Sequence, residues 1–107
     1  MPVERRVIIP PGLENVYNTF HYAPGIVVGD TLYISGQVGR DADLNVVDGA
    51  EAQFVQAFEN VKLVLDAAGA TFDDVVELET WFADSMDGLK TFMAVATNMR
   101  KGGTDKV

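Results

Sequence analysis

The chain has 107 residues, the usual size of one domain, so a single unit over residues 1–107 with a single core is expected. It contains no cysteine, which excludes a disulfide framework, a thiolate zinc site and a nucleophilic thiol. Its 16 acidic against 8 basic residues give a net charge of −8, a surface that repels phosphate backbones and makes nucleic acid an unfavourable partner.

No apolar run approaches the ~20 residues that span a bilayer. Val7-Ile8-Ile9, followed by Pro10-Pro11-Gly12, is too short for a signal peptide. A soluble, cytoplasmic protein is the expectation. Val7-Ile8-Ile9 reads as a first strand ended by the prolines, which cannot donate to a ladder. Tyr22 to Val28 reads as a second strand. Gly29-Asp30 turns it into a third, Thr31-Leu32-Tyr33-Ile34-Ser35, the pattern of a two-residue hairpin. An acidic loop, Asp41 to Asp48, follows.

From Ala50 the apolar period changes to that of a helix: Phe54, Phe58, Val61, Leu65 and Ala68 share one face. Asp48 and Glu51 have the spacing of an acidic capping box, and Gly69 sits where a left-handed C-terminal cap belongs. Val75 to Ala83 alternates like a fourth strand. Trp81 shares a face with Glu77 and Glu79, covered either by another subunit or only by its own neighbours. Asp84-Ser85-Met86-Asp87 opens a second helix with the apolar stripe Leu89, Phe92, Met93, Ala96 and Met99. The tail from Lys101 to Val107 has no periodicity. The order β-β-β-α-β-α predicts an α+β domain with helices on one face of a sheet.

Chemistry-bearing motifs are few. There is no phosphate loop, dinucleotide glycine pattern or nucleophile elbow. The carboxylate pairs Asp73-Asp74, Glu77 with Glu79, and Asp84 with Asp87 read as solvated turns, faces and caps. His21, the single histidine, is a candidate base beside Tyr22 or simply a loop residue, and it leaves no room for a histidine-rich metal site. Ser35 has no base beside it in sequence.

The run from His21 to Val38, HYAPGIVVGDTLYISGQV, resembles the opening of the reactive intermediate deaminase (Rid, YjgF-like) family, also called endoribonuclease L-PSP. Ala57 to Ala70 resembles that family's first helix, and Thr71 to Val76 with Trp81 to Asp84 continue the likeness in register. The resemblance spans roughly residues 17 to 100. It implies a chorismate-mutase-like fold and a homotrimer with ligand clefts between subunits. It also implies hydrolysis of the C=N bond of 2-imino acids without a metal or organic cofactor. Tyr22 matches the family's pocket tyrosine, and Ser35 with Gly36 matches the serine-glycine lining the cleft.

The chain also departs from that pattern. The family's proline-alanine-arginine motif, whose arginine anchors the substrate carboxylate, falls just beyond Val107, as does a late glutamate that positions water. Against the pattern the chain is short by one or two strands, roughly 20 residues. A frequent asparagine on the second helix aligns near Met93, and Arg100 is outside the motif. Three functions follow as alternatives: an enamine/imine deaminase, a trimeric small-ligand-binding or scaffold protein, and an endoribonuclease, which the charge of −8 disfavours. In the first two, the ligand is a small carboxylate-bearing metabolite and no membrane is involved.

Overall fold

The computed structural model describes residues 4–81 and 86–100. In chain order it contains strand β1 (Arg5–Ile8), helix α1 (Glu14–Phe20), strands β2 (Gly25–Val28) and β3 (Thr31–Ile34), helix α2 (Ala50–Ala68), a single 3-10 turn (Phe72–Asp74) and helix α3 (Met86–Arg100). The three strands form one antiparallel sheet in the order β1-β2-β3. β2 and β3 pair from Val28 opposite Thr31 to Gly25 opposite Ile34, so Gly29-Asp30 is the two-residue loop expected. Gly29 takes φ 59, a left-handed conformation that its missing Cβ makes cheap.

α2 holds the fold together by being apolar on two faces. On one side Val64 is wholly buried with Ile8, Leu13 and Val16, and Val27, Leu32 and Leu63 close around them. On the other, Phe58 packs with Val95 and Met99 of α3. Phe92 bridges the pair, its ring centroid 5.4 Å from Phe58 and 5.7 Å from Phe54. The layering is therefore sheet, α2, α3, an α+β arrangement in which α2 lies on the sheet and separates it from α3, with α1 adding Val16 to the core beside Ile8. No described helix is long and apolar enough to cross a membrane.

Gly69 ends α2 as its spacing predicts, at φ 79, with its N–H returned to the carbonyls of Asp66 and Leu65. The Asp48–Glu51 capping box does not form. Gly49 occupies the cap position, so Asp48 falls one residue too early to reach the first helical turn. The chain does have a capping box, at the 3-10 turn: Asp73 N–H donates to Thr71 Oγ1 at 3.3 Å, and Thr71 N–H to Asp74 Oδ2 at 2.9 Å.

Two further expectations are corrected. Residues 75–81 pair with no described strand, and Val76 and Trp81 are 97% and 89% exposed. Alternation fits a segment for pairing but supplies no partner, and β1 and β3, the edges of the sheet, do not take it. On α3, Met93 is exposed and Val95 is buried in its place, because the face turned to α2 runs through Phe92, Val95, Ala96 and Met99. Phe82 and Ala83 of the expected fourth strand, Asp84 and Ser85 of the expected helix start, and the tail from Lys101 lie outside the described residues.

Candidate functional site

Helix α1, which the sequence pattern did not signal, begins the site. Pro10 accepts from Leu13 N–H at 3.1 Å, and Glu14 Oε1 accepts from Gly12 N–H at 2.8 Å, fixing the helix entry. These backbone donors hold the Glu14 carboxyl below its ordinary value, its own N–H first and that of Gly12 second, because they stabilise the charged form. His21 ends the helix in a left-handed conformation, φ 64, with its N–H donated to the Tyr17 carbonyl at 3.0 Å. That reversal brings Phe20 and Tyr22 to the same side, their rings stacked with centroids 6.5 Å apart. His21 itself is exposed and serves as the cap.

The end of β3 supplies the second wall. Pro24 O accepts from both the N–H and the hydroxyl of Ser35, at 3.0 and 3.1 Å. Gln37 Nε2 then donates to the Ser35 carbonyl at 3.2 Å and to its Oγ at 3.4 Å. Tyr22 OH reaches the Gly36 carbonyl at 3.5 Å, a long and weak hydrogen bond. The structure thus brings Tyr22 and Gly36 together, and turns the Ser35 hydroxyl onto Pro24.

The third wall is the loop after β3, pinned from both sides. Asn60, buried on α2, donates through Nδ2 to the carbonyls of Val38 at 3.0 Å and Arg40 at 2.9 Å, and its Oδ1 accepts from Gln56 Nε2 at 3.0 Å. Gly39 passes so close to α2 that a Cβ there would lie 2.7 Å from Gln53 Cα. Arg40 bridges to Val46, and Asn15 of α1 donates to the Ala42 carbonyl at 2.7 Å. The Asp41 carboxylate accepts from Asp43 N–H and Asn45 N–H, at 2.9 and 3.0 Å.

These walls enclose an open depression of about 380 Å³ lined by Val16, Phe20, Tyr22, Gln37, Val38, Arg40 and Asn60. The Arg40 guanidinium lies over the Phe20 ring, 5.4 Å from its centroid. Val16, Phe20 and Val38 make the lining partly apolar; Tyr22, Gln37, Asn60 and Arg40 make it polar at defined points. Among the described residues no group of three His, Asp or Glu could hold a metal ion. Of the three residues that family resemblance assigns to an inter-subunit cleft, Tyr22 lines this depression, whereas Ser35 and Gly36 are not among its lining residues; Phe20, Arg40 and Asn60 line it without having been expected. Of these, only Asn60 left a trace in the sequence, a carboxamide in the apolar middle of a helix.

The endoribonuclease L-PSP family pattern matches residues 14–104. The RutC family protein YjgH of Escherichia coli (strain K12) is 34% identical over 93 residues, covering 87% of this chain and 71% of its own. A 2-iminobutanoate/2-iminopropanoate deaminase of Dermatophagoides farinae is 40% identical over 70 residues, and this chain spans only 53% of its length. A solved structure of protein YjgH superposes with a TM-score of 0.85 at 30% identity, over 98% of this chain and 81% of that one. Fold, hairpin, long helix and relatives agree: the chain belongs to the Rid/YjgF family, that of endoribonuclease L-PSP.

Proposed function

We propose that this chain binds a small carboxylate-bearing metabolite in the depression beneath Phe20 and Tyr22 and hydrolyses the C=N bond of a 2-imino acid there. The observation that carries the reading is the lining: apolar walls for a short side chain, a phenol and two carboxamides at its polar points, and a cation. The deaminase relative supports the reaction class. A water oxygen bonds to the imine carbon as one of its protons passes to nitrogen. The resulting carbinolamine breaks its C–N bond, its hydroxyl proton passes to nitrogen, and ammonia leaves a 2-oxo acid. No electrons are exchanged with another reagent.

In this reading the Tyr22 hydroxyl and the Gly36 backbone orient the water and the imine, while Ser35 holds the wall by locking β3 to Pro24. The working form is a homotrimer in the cytoplasm, its neighbouring subunits bordering the depression, and it uses no cofactor. RNA is the poorer substrate, since binding by counterion release needs several cations and the described lining residues include one, Arg40.

The test couples the chain to a dehydratase that generates 2-iminobutanoate and follows ammonia release. The expected result is a protein-dependent acceleration that Tyr22→Phe diminishes. A second reading, binding without turnover, draws on the described lining residues, which include neither a carboxylate nor an imidazole. No acceleration, combined with a thermal shift on adding 2-oxobutanoate, decides for that reading. Light scattering tests the trimer, and a monomeric mass counts against it.

A further inference from the structure

We propose that Arg40 is the group that recognises the ligand's carboxylate, an inference resting on the small-acid reading above. Four observations converge on it. The backbone of Arg40 is fixed from both sides: its N–H donates to the Val38 carbonyl at 2.8 Å, and its own carbonyl accepts from buried Asn60 at 2.9 Å. Its guanidinium is steadied over the Phe20 ring, at the wall of the depression. Among the described residues no carboxylate forms an ion pair with it, and its guanidinium makes no hydrogen bond. Its nearest acidic neighbour in sequence, Asp41, is engaged by the backbone N–H groups of its own loop.

A chain of net charge −8 therefore keeps an uncompensated, half-buried cation facing a partly apolar depression. A guanidinium presents its N–H donors as a planar fork that matches a carboxylate bidentately, and stacking on a ring leaves that fork available. The rest of the described lining is apolar at Val16, Phe20 and Val38 and polar but uncharged at Tyr22, Gln37 and Asn60, which suits a short hydrocarbon tail and offers no second cation. The ligand class is accordingly a 2-oxo or 2-imino monocarboxylate, preferred over a dicarboxylate, whose second charge would meet no cation in the described lining.

The test titrates the whole chain with 2-oxobutanoate, with 2-butanone, a neutral ketone that has a methyl group in place of the carboxylate, and with 2-oxoglutarate, followed by calorimetry and by NMR shifts. Wild type is compared with R40K, R40M and R40Q, the last keeping a planar end group without the charge. The expected result is a loss of about tenfold to a hundredfold in 2-oxobutanoate affinity for R40M and R40Q. R40K, a point charge without the fork, loses less, and 2-butanone binding does not change. In the deaminase assay the same loss appears in KM. Arg40-dependent binding of 2-oxobutanoate without turnover upholds the anchor while the deaminase reading fails. Turnover with an unchanged KM in R40Q overturns the anchor while the deaminase reading stands. Failure of the wild type to bind 2-oxobutanoate, or equal binding of 2-oxoglutarate by wild type and R40Q, overturns the inference.

Discussion

Asn60, buried on α2, donates its Nδ2 to the backbone carbonyl of Arg40 at 2.9 Å, tying the wall of the depression to the element at the centre of the core. The same amide group satisfies Val38 O at 3.0 Å. Asn60→Leu keeps a branched side chain with the same number of heavy atoms but leaves both loop carbonyls without this donor. The Val38 carbonyl keeps the Arg40 N–H at 2.8 Å, whereas the Arg40 carbonyl loses this donor, and a buried polar group left unpaired costs about 1–3 kcal/mol, so a loss of about that size is expected in urea unfolding. Affinity for 2-oxobutanoate should fall as well, because the Arg40 backbone is released. A stability loss with unchanged affinity would show that Asn60 serves the core alone.

Two glycines in the same stretch should behave oppositely. A Cβ on Gly39 would come within 2.7 Å of Gln53 Cα and 2.9 Å of its carbonyl oxygen, backbone atoms of α2 that cannot rotate away. Gly39→Ala is expected to destabilise by about 1–3 kcal/mol through overpacking. A Cβ on Gly36 meets nothing within 4 Å, so Gly36→Ala should stay within about 0.5 kcal/mol of wild type. Thermal unfolding of the pair checks this, and equal effects would mean that the loop does not rest on α2 as described.

The sheet and α2 approach closely at Gly25, where a Cβ would lie 2.6 Å from Val64 Cγ1. Val64→Ala removes methyl groups from a fully buried side chain and should cost about 1–3 kcal/mol. Gly25→Ala alone overpacks the same spot. Combined, the added methyl enters the space that Val64 vacates, so the double variant should be more stable than the sum of the two losses predicts. Denaturant unfolding of all four proteins measures the coupling. Simple additivity would show that the two residues do not touch.

The parts of the fold legible in the sequence are those decided locally. Gly29 at a hairpin loop and Gly69 at a helix end are read correctly because each position demands a backbone conformation few residues adopt. Helix α1 is not legible: its seven residues include Asn15, Tyr17, Asn18 and Thr19, weak helix formers, and no side chain caps it. It forms because Leu13 and Val16 bury against Ile8 and Val64. Residues 75–81 fail in the other direction, with strand alternation but no described strand beside them. Family likeness alone points to Tyr22, Ser35 and Gly36, and of these the fold puts Tyr22 in the lining of the depression. Arg40 was one of several scattered cations until Asn60 and Phe20, 20 residues away on either side, gave it a fixed place.

The acid limb of stability should carry the signature of Glu14. Its carboxylate accepts from the backbone, which holds its folded value below the ordinary 4.5, while the unfolded chain returns it to that value. A depressed carboxyl contributes stability that is fully present above the unfolded value and is lost as pH falls through the folded one. Glu14→Gln keeps an acceptor oxygen without the charge. The melting temperature of wild type should therefore exceed that of Glu14→Gln above about pH 4.5, by a margin that shrinks as the solution is made more acidic and closes once the folded carboxyl is protonated. The group is fully exposed, so the margin is small and best read as a difference between matched melts. A margin that persists unchanged into strong acid would show that Glu14 holds the α1 entry by its shape, not by its charge.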